Sequence, residues 1–285
     1  MAGVGAEVEA FVFFAESDIS REDTLVSEDR DTDITRLSGD RRITNVITLA
    51  LDSSTPGGSV ALVSRGQVLG CVPGDATEAH SERLPNDVLT LLATHKIALR
   101  EVNLFAVCVG PGSFTGLRVG LATIKGMALA SRRRIVPIST LEALAHAGLN
   151  STHPQSVPEL IVPWMNAQRG EVFASVYAVD EQRGIVELEQ PRVGTPEAIL
   201  DGWSHRLTQT PVIFVGDGLE NRDSIINAHV KANVLFGQNL PPLAPIIGIL
   251  AENLGVQKAI PPHSVIPFYL RRPYAELAPE RRRAE

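Results

Sequence analysis

Between residues 110 and 130 the chain reads GPGSFTGLRVGLATIKGMALA, a glycine-rich loop running into a helical stretch. Glycines after a buried strand permit positive φ and bring backbone N–H groups close to whatever lies at the helix start. Gly110, Gly112 and Ser113 are therefore candidate anion-binding groups. The spacing is not that of a Walker loop, since no Lys-Ser/Thr pair follows, and Thr115 stands where a dinucleotide fingerprint needs its third glycine. A purely structural turn is the competing reading. Gly116, Gly120 and Gly126 follow, and glycine inside a helix costs about 1 kcal/mol relative to alanine. Such a cost implies close packing, on the chain's own sheet or against a helix of another subunit.

Other chemistry-bearing residues are sparse. The histidines are scattered and none pairs at metal-ligand spacing. Cys71 and Cys108 are too few for a disulfide framework and read as reduced, buried thiols, which fits a reducing cytoplasm. The net charge of −7 is uneven, because residues 1–45 carry eleven Asp/Glu against five Arg and the remainder is almost neutral. A protein that grips nucleic acid by itself shows a clustered basic face. Here the dense basic runs are only residues 132–134, 271–272 and 281–283, which read as solvated surface.

The elements that must position these residues begin at Val46. Residues 1–45 are polar, acidic and without a sustained period, and read as an extension with little to bury. No basic leader precedes the short apolar run near the start, which argues against a secretory or transit peptide, and no stretch is long and apolar enough to span a membrane. From Val46, three β-branched apolar runs with tight turns at residues 56–58 and 65–66 predict an antiparallel meander. Leu84, Val88, Leu91 and Leu92 fall on one face of a helix over about 81–96, with Pro85 placed in its first turn. A buried strand at 104–110, a helix at 115–131, a strand at 135–138 and a helix at 139–148 follow. After a polar linker at 149–158 a similar order restarts. Three strands lead to a helix capped by Thr195, a strand ending at Gly216, a helix around 219–228, a last helix at 243–254 and the extended segment VIPFYLRR. Two units of β-β-β-α-β order predict a duplicated α/β fold with mixed sheets flanked by helices, as in ribonuclease-H-like domains. The expected parts are an acidic extension at 1–45, an N-terminal lobe at 46–150, a C-terminal lobe at 158–272 and a polar tail at 273–285.

Several segments together resemble the TsaB (YeaZ) family. They are residues 52–54 (DSS) after a strand, His80, Ser81 and Glu82 opening a helix with Leu84 and Pro85, and the stretch at 110–130. Ser139, Thr140 and Leu141 after a strand, Gly170 to Phe173, and Tyr269, Leu270 and Arg271 complete the set, in order from about Val46 to Arg272. The resemblance implies two lobes of the actin/Hsp70-like ATPase fold. It also implies a non-catalytic partner role beside TsaD, the metal-binding transferase that places threonylcarbamoyl on a tRNA adenosine, with the small ATPase TsaE joining them. On that reading tRNA is met indirectly through the complex, no membrane is involved, and a second copy of the chain is an alternative partner for the same helices. Those helices fall at 81–96 and 115–131, so Leu84, Val88, Leu91, Leu92, Arg118 and Leu121 become candidates for the partner interface, with core packing the competing reading for the apolar ones.

The resemblance also exposes departures. TsaD-like relatives carry His-x-x-x-His where this chain has Thr140 and Leu144, and neither can be an imidazole ligand. The turn at residues 52–55 lacks the glycine that lets ATP-binding relatives approach phosphate. No metal, cofactor or catalytic residue is therefore expected. Asn166 stands where relatives often carry aspartate, and Glu171 is expected to pair with a neighbour rather than catalyse. A glycoprotease-like metallohydrolase and an ATP-dependent small-molecule kinase are the alternative functions, each needing a site that the sequence does not display.

Overall fold

The computed structural model describes residues 46–271 apart from 76, 78, 153–157, 208–209, 221–222, 231–233 and 238–240. The expected extension at 1–45, the tail at 273–285, Arg272 and residues 153–157 of the expected linker lie outside the described residues.

The first sheet is built from β1 (Thr48–Asp52), β2 (Ser59–Ser64), β3 (Gln67–Pro73), β4 (Leu104–Gly110) and β5 (Ile135–Ser139), in the order β3-β2-β1-β4-β5. β1, β2 and β3 form the expected antiparallel meander, while β4 and β5 join β1 in parallel. The parallel half requires crossover helices, supplied by α1 (His80–Thr94) before β4 and α2 (Phe114–Ala130) before β5. After β5 comes α3 (Thr140–Ser151), which ends three residues later than its periodicity suggests. Pro85 lies in the second turn of α1 rather than the first. The donor it lacks leaves the carbonyl of Ser81 unpaired within the helix, and Ser81 is exposed, so water can satisfy it.

The second sheet repeats the plan with β6 (Leu160–Asn166), β7 (Val172–Val179), β8 (Ile185–Gly194), β9 (Val212–Val215) and β10 (Val234–Gly237), in the order β10-β9-β6-β7-β8. The helices of this half of the chain are α4 (Pro196–Leu207), whose entry Thr195 caps through Ala198 N, the short α5 (Asp223–His229) and α6 (Leu243–Leu254). β10 has no counterpart among the strands expected from the sequence. Four residues in a polar setting are too short a run to show a period, and it is pairing with β9 that makes them a strand.

Large and small residues alternate along the first sheet, and this decides what covers each face. Leu49, Leu51, Val60, Leu62, Phe105 and Val107 face α1 and α2, with Leu84, Val88, Leu91, Leu121 and Ile124 packed onto them. The opposite face presents Ala50, Ala61, Ala106 and Cys108. That shallow face admits α6, a helix late in the chain that packs on β1 and β2 of the first sheet. A Cβ on Gly248 would come within 2.5 Å of a methyl of Val63, so glycine is what lets α6 settle there. Polar ties reinforce the crossing: Thr48 donates its hydroxyl hydrogen to Glu252 at 3.1 Å, and Ala244 N donates to the Ser59 hydroxyl at 3.0 Å.

The exchange is mutual. α3, from the first half of the chain, packs on β6 of the second sheet. α3 and α6 thus form a shared layer between the sheets, and one continuous apolar cluster joins Ala50 and Ile138 to Ile161, Phe173 and Ile213. Trp164 and Trp203 fill the separate core beneath α4 and α5. α6 is apolar around almost its whole circumference, as a helix covered on both sides must be.

Within this layer Glu142 of α3 lies near Glu187 and Tyr177 of the second sheet. Burial first, and then the Glu187 carboxylate, raise the Glu142 carboxyl above its ordinary range. The fold therefore penalises the ionised form at neutral pH, and the penalty fades as pH falls through the raised value towards the unfolded one. Glu142→Gln removes the charge and keeps a side chain suited to the third helical position. It is expected to raise the melting temperature at about pH 7.5 and to leave it unchanged at about pH 3.5, where the wild-type carboxyl is itself neutral. An equal gain at both pH values would show that charge is not the cause.

Candidate functional site

Three of the four segments singled out in the first lobe converge at the end of β1. Asp52, itself buried, spends its carboxylate on its own turn, accepting from Ser54 N at 2.9 Å, the Ser54 hydroxyl at 2.5 Å and the Thr55 hydroxyl at 2.5 Å. His80, at the start of α1, meets the Thr55 carbonyl through Nε2 at 3.1 Å. Arg83, one turn on, is buried, donates to the Gly57 carbonyl at 2.7 Å and pairs with Asp87. These contacts lock the turn after β1 to α1.

The glycine loop is fastened to the same turn. Ser113 N donates to the Ser54 carbonyl at 3.0 Å, and the Ser113 hydroxyl caps α2 by accepting from Gly116 N at 3.2 Å. A Cβ on Gly112 would lie 2.6 Å from the Ser54 carbonyl oxygen, and one on Gly110 2.4 Å from that of Phe268. Gly110, Gly112 and Ser113 thus have a packing reason of their own, and the amides of Ser113 and Gly116 are engaged within the chain. The helix glycines follow the same logic: Gly116 and Gly120 face Ser53, 2.2 Å and 1.9 Å being the distances an added Cβ would reach. Of the two packings the helix glycines allowed, Gly116 and Gly120 show the internal one.

The apolar members of the expected partner interface also turn inward. Leu84, Val88, Leu91, Leu92 and Leu121 are all buried between the helices and the first sheet. Their spacing marks a face that must leave water, and the chain's own sheet takes it. Arg118 is exposed. Any face that α1 and α2 offer to another subunit is therefore made by the residues opposite. On α2 these are Phe114, Arg118, Ala122, Lys125 and Leu129, at i, i+4, i+8, i+11 and i+15, one continuous stripe. Phe114 is 39% exposed and Leu129 60%. Glu82, Asn86, Leu89 and Ala93 form the matching stripe on α1. Periodicity had hidden this surface, because its large apolar members stand among polar and small residues.

Between the lobes lies a cleft of about 1000 Å³, bordered by Thr55, Gly58, Gly74, Asp217, Glu220 and Leu243. Leu144 is in its lining, and Thr140, one turn before it, is fully buried. His146 is half-buried, and burial lowers its pKa. Among the described residues no group of three or more His, Cys, Asp or Glu side chains is arranged to hold a metal ion. Cys71 and Cys108 are free, and burial pushes up the Cys108 thiol. No helix of the described residues is long and apolar enough to cross a membrane.

The second lobe contributes the turn between β6 and β7. Gln168, Arg169 and Gly170 all have positive φ, and Asn166 accepts from Gln168 N at 2.8 Å to hold the turn. Glu171 pairs with Arg271, the neighbour role expected of it. Arg271 belongs to a strap that follows α6. It forms an antiparallel bridge between Ile260 and Ile135, buries Val265 in the first lobe and donates from Phe268 N to the Val109 carbonyl at 2.7 Å. It then reaches the Ala167 carbonyl through Arg271 Nη1 at 2.9 Å.

Comparison with known proteins agrees with these features. A family model described as TsaD: tRNA N6-adenosine threonylcarbamoyltransferase matches residues 61–278. The tRNA threonylcarbamoyladenosine biosynthesis protein TsaB of Bacillus subtilis is 28% identical over 240 residues, covering 80% of this chain and 95% of that protein. Its namesake in Haemophilus influenzae is 35% identical over 131 residues, 46% of this chain and 53% of the relative, so that match spans about half of each. The solved structure of YeaZ from Pseudomonas aeruginosa superposes with a TM-score of 0.64 at 24% identity, over 79% of this chain and 100% of that one, which establishes the two-lobed fold. Because the family model matches most of the chain and its relatives carry the TsaB name, the chain belongs to the TsaB (YeaZ) family.

Proposed function

We propose that this chain is the non-catalytic partner and activator of a TsaD-type transferase in tRNA N6-threonylcarbamoyladenosine biosynthesis, acting in the cytoplasm. The observation that carries the reading is the match to nearly the whole length of Bacillus subtilis TsaB. The geometry supports it in two ways. The helix pair α1 and α2 rests rigidly on its own sheet and presents exposed stripes that include Phe114 and Leu129. The turn at residues 52–55 spends the Asp52 carboxylate and the Ser54 amide within the chain. In this reading the stripes receive the transferase subunit, a second copy of the chain competes for the same face, a TsaE-type ATPase joins the assembly, and tRNA is met through the complex.

Reconstitution tests it. Threonylcarbamoyladenosine on tRNA is measured by nucleoside mass spectrometry, with this chain, the transferase subunit and the ATPase each omitted in turn. Product is expected only when this chain is present and never from this chain alone. Product from the chain alone would make it the transferase, and full product without it would sever it from the reaction.

A further inference from the structure

The exposed stripe of α2 begins with a built cluster that the sequence splits across 151 positions of chain. Arg118 lays its guanidinium carbon 4.1 Å from the centre of the Phe114 ring and donates from Nε to the Tyr269 hydroxyl at 3.2 Å. The Phe114 and Tyr269 rings pack at 5.0 Å between centres, tilted by 33°. Tyr269 does not choose its own place. The strap holds it from both sides, through Phe268 N on the Val109 carbonyl and through Arg271 on Ala167 and Glu171. A long arginine on an exposed helix ordinarily samples many rotamers, and ordering it on binding lowers affinity. Here a ring beneath and a hydroxyl at Nε select one orientation. Nε makes the one hydrogen bond of Arg118 to the described residues, which leaves both Nη groups of this exposed side chain without a hydrogen bond among them. A planar guanidinium fork so presented matches a carboxylate, and tyrosine and arginine are both among the residue types enriched at binding hot spots.

We propose that Tyr269 is a positioning residue for partner recognition: it holds Arg118 and Phe114 as a preformed anchor, and the group of the partner that docks there is a carboxylate. The C-terminal strap is then part of the partner face. The inference rests on the reading above that the α1 and α2 stripes bind the transferase subunit.

The test is a double-mutant cycle on affinity for that subunit, by calorimetry with the full chain, alongside thermal unfolding of each variant. Tyr269→Phe keeps the ring and removes the hydroxyl, and is expected to weaken binding about three- to tenfold at an unchanged melting temperature. Arg118→Ala is expected to weaken it about ten- to a hundredfold, and Arg118→Lys to fail as a rescue because an ammonium lacks the fork. Adding Tyr269→Phe to Arg118→Ala is expected to change nothing further, since the hydroxyl acts through the arginine. If Tyr269→Phe weakens binding equally in both backgrounds, or in neither, the positioning role is overturned while the partner face stands. If Arg118→Ala binds normally and Leu129→Asp does not, the anchor is overturned and the face again stands. Normal binding by both Arg118→Ala and Leu129→Asp would overturn the anchor and the partner-face reading together.

Discussion

Leu91→Asp is expected to unfold the protomer, whereas Leu129→Asp is expected to leave it folded and unable to hold its partner. Both leucines lie on the helix pair, and the same substitution separates them by environment alone. Leu91 is 3% exposed, packed between α1 and the first sheet. A carboxylate there has neither water nor a cationic partner, and such substitutions cost about 4 kcal/mol or more. Against a total stability of about 5–15 kcal/mol this empties the native state or nearly so. Leu129 faces solvent, so aspartate costs the free protomer little, but it places a charge in the apolar part of the stripe. Soluble yield and thermal unfolding by circular dichroism read the first effect, and co-elution with the transferase subunit on size exclusion reads the second. A folded Leu91→Asp that has merely lost its partner would mean that α1 stands away from its sheet in solution.

Gly116→Ala is expected to lower the melting temperature by about 6–12 °C, corresponding to about 3 kcal/mol of overpacking. Alanine is the better helix former by about 1 kcal/mol, so the substitution should stabilise if only the helix mattered. The added Cβ, however, meets the backbone carbonyl of Ser53 at 2.2 Å and the His80 ring at 3.1 Å. A backbone oxygen in a turn held by Asp52 cannot rotate aside, so α2 must lift. Gly120→Ala makes a closer nominal contact, 1.9 Å, but with the Ser53 hydroxyl, a side-chain atom that can turn away, which leaves the Ser53 Cβ at 2.7 Å as its nearest fixed contact. Gly120→Ala is therefore expected to be the milder of the two, a ranking that distances alone would reverse. Lifting the start of α2 also displaces Phe114 and Arg118, so Gly116→Ala should weaken partner binding even at temperatures where the variant is folded. Equal melting temperatures for both alanine variants and the wild type would show that the turn is softer than its hydrogen bonds suggest.

The legible part of this protein is local. Alternation in TLALD and SVALVS, the i, i+4, i+7 spacing of Leu84, Val88 and Leu91, and caps such as Thr195 before Pro196 depend on neighbours a few residues away, and both meanders and most helices follow from them. The stretch at 110–130 also carried its family in the residues themselves. Periodicity says that a face must leave water and is silent about what covers it. Only the tertiary structure decided that the leucine stripe of α1 belongs to the chain's own sheet, that the glycines at 116 and 120 admit Ser53 rather than another subunit, and that α6 returns to the first sheet. β10 exists because β9 lies beside it, and Tyr269 reaches Arg118 because a strap tied at Val109 and Ala167 brings it there. Contacts between residues so distant in the chain are won by packing and closure of the whole fold, and no window of sequence contains both partners.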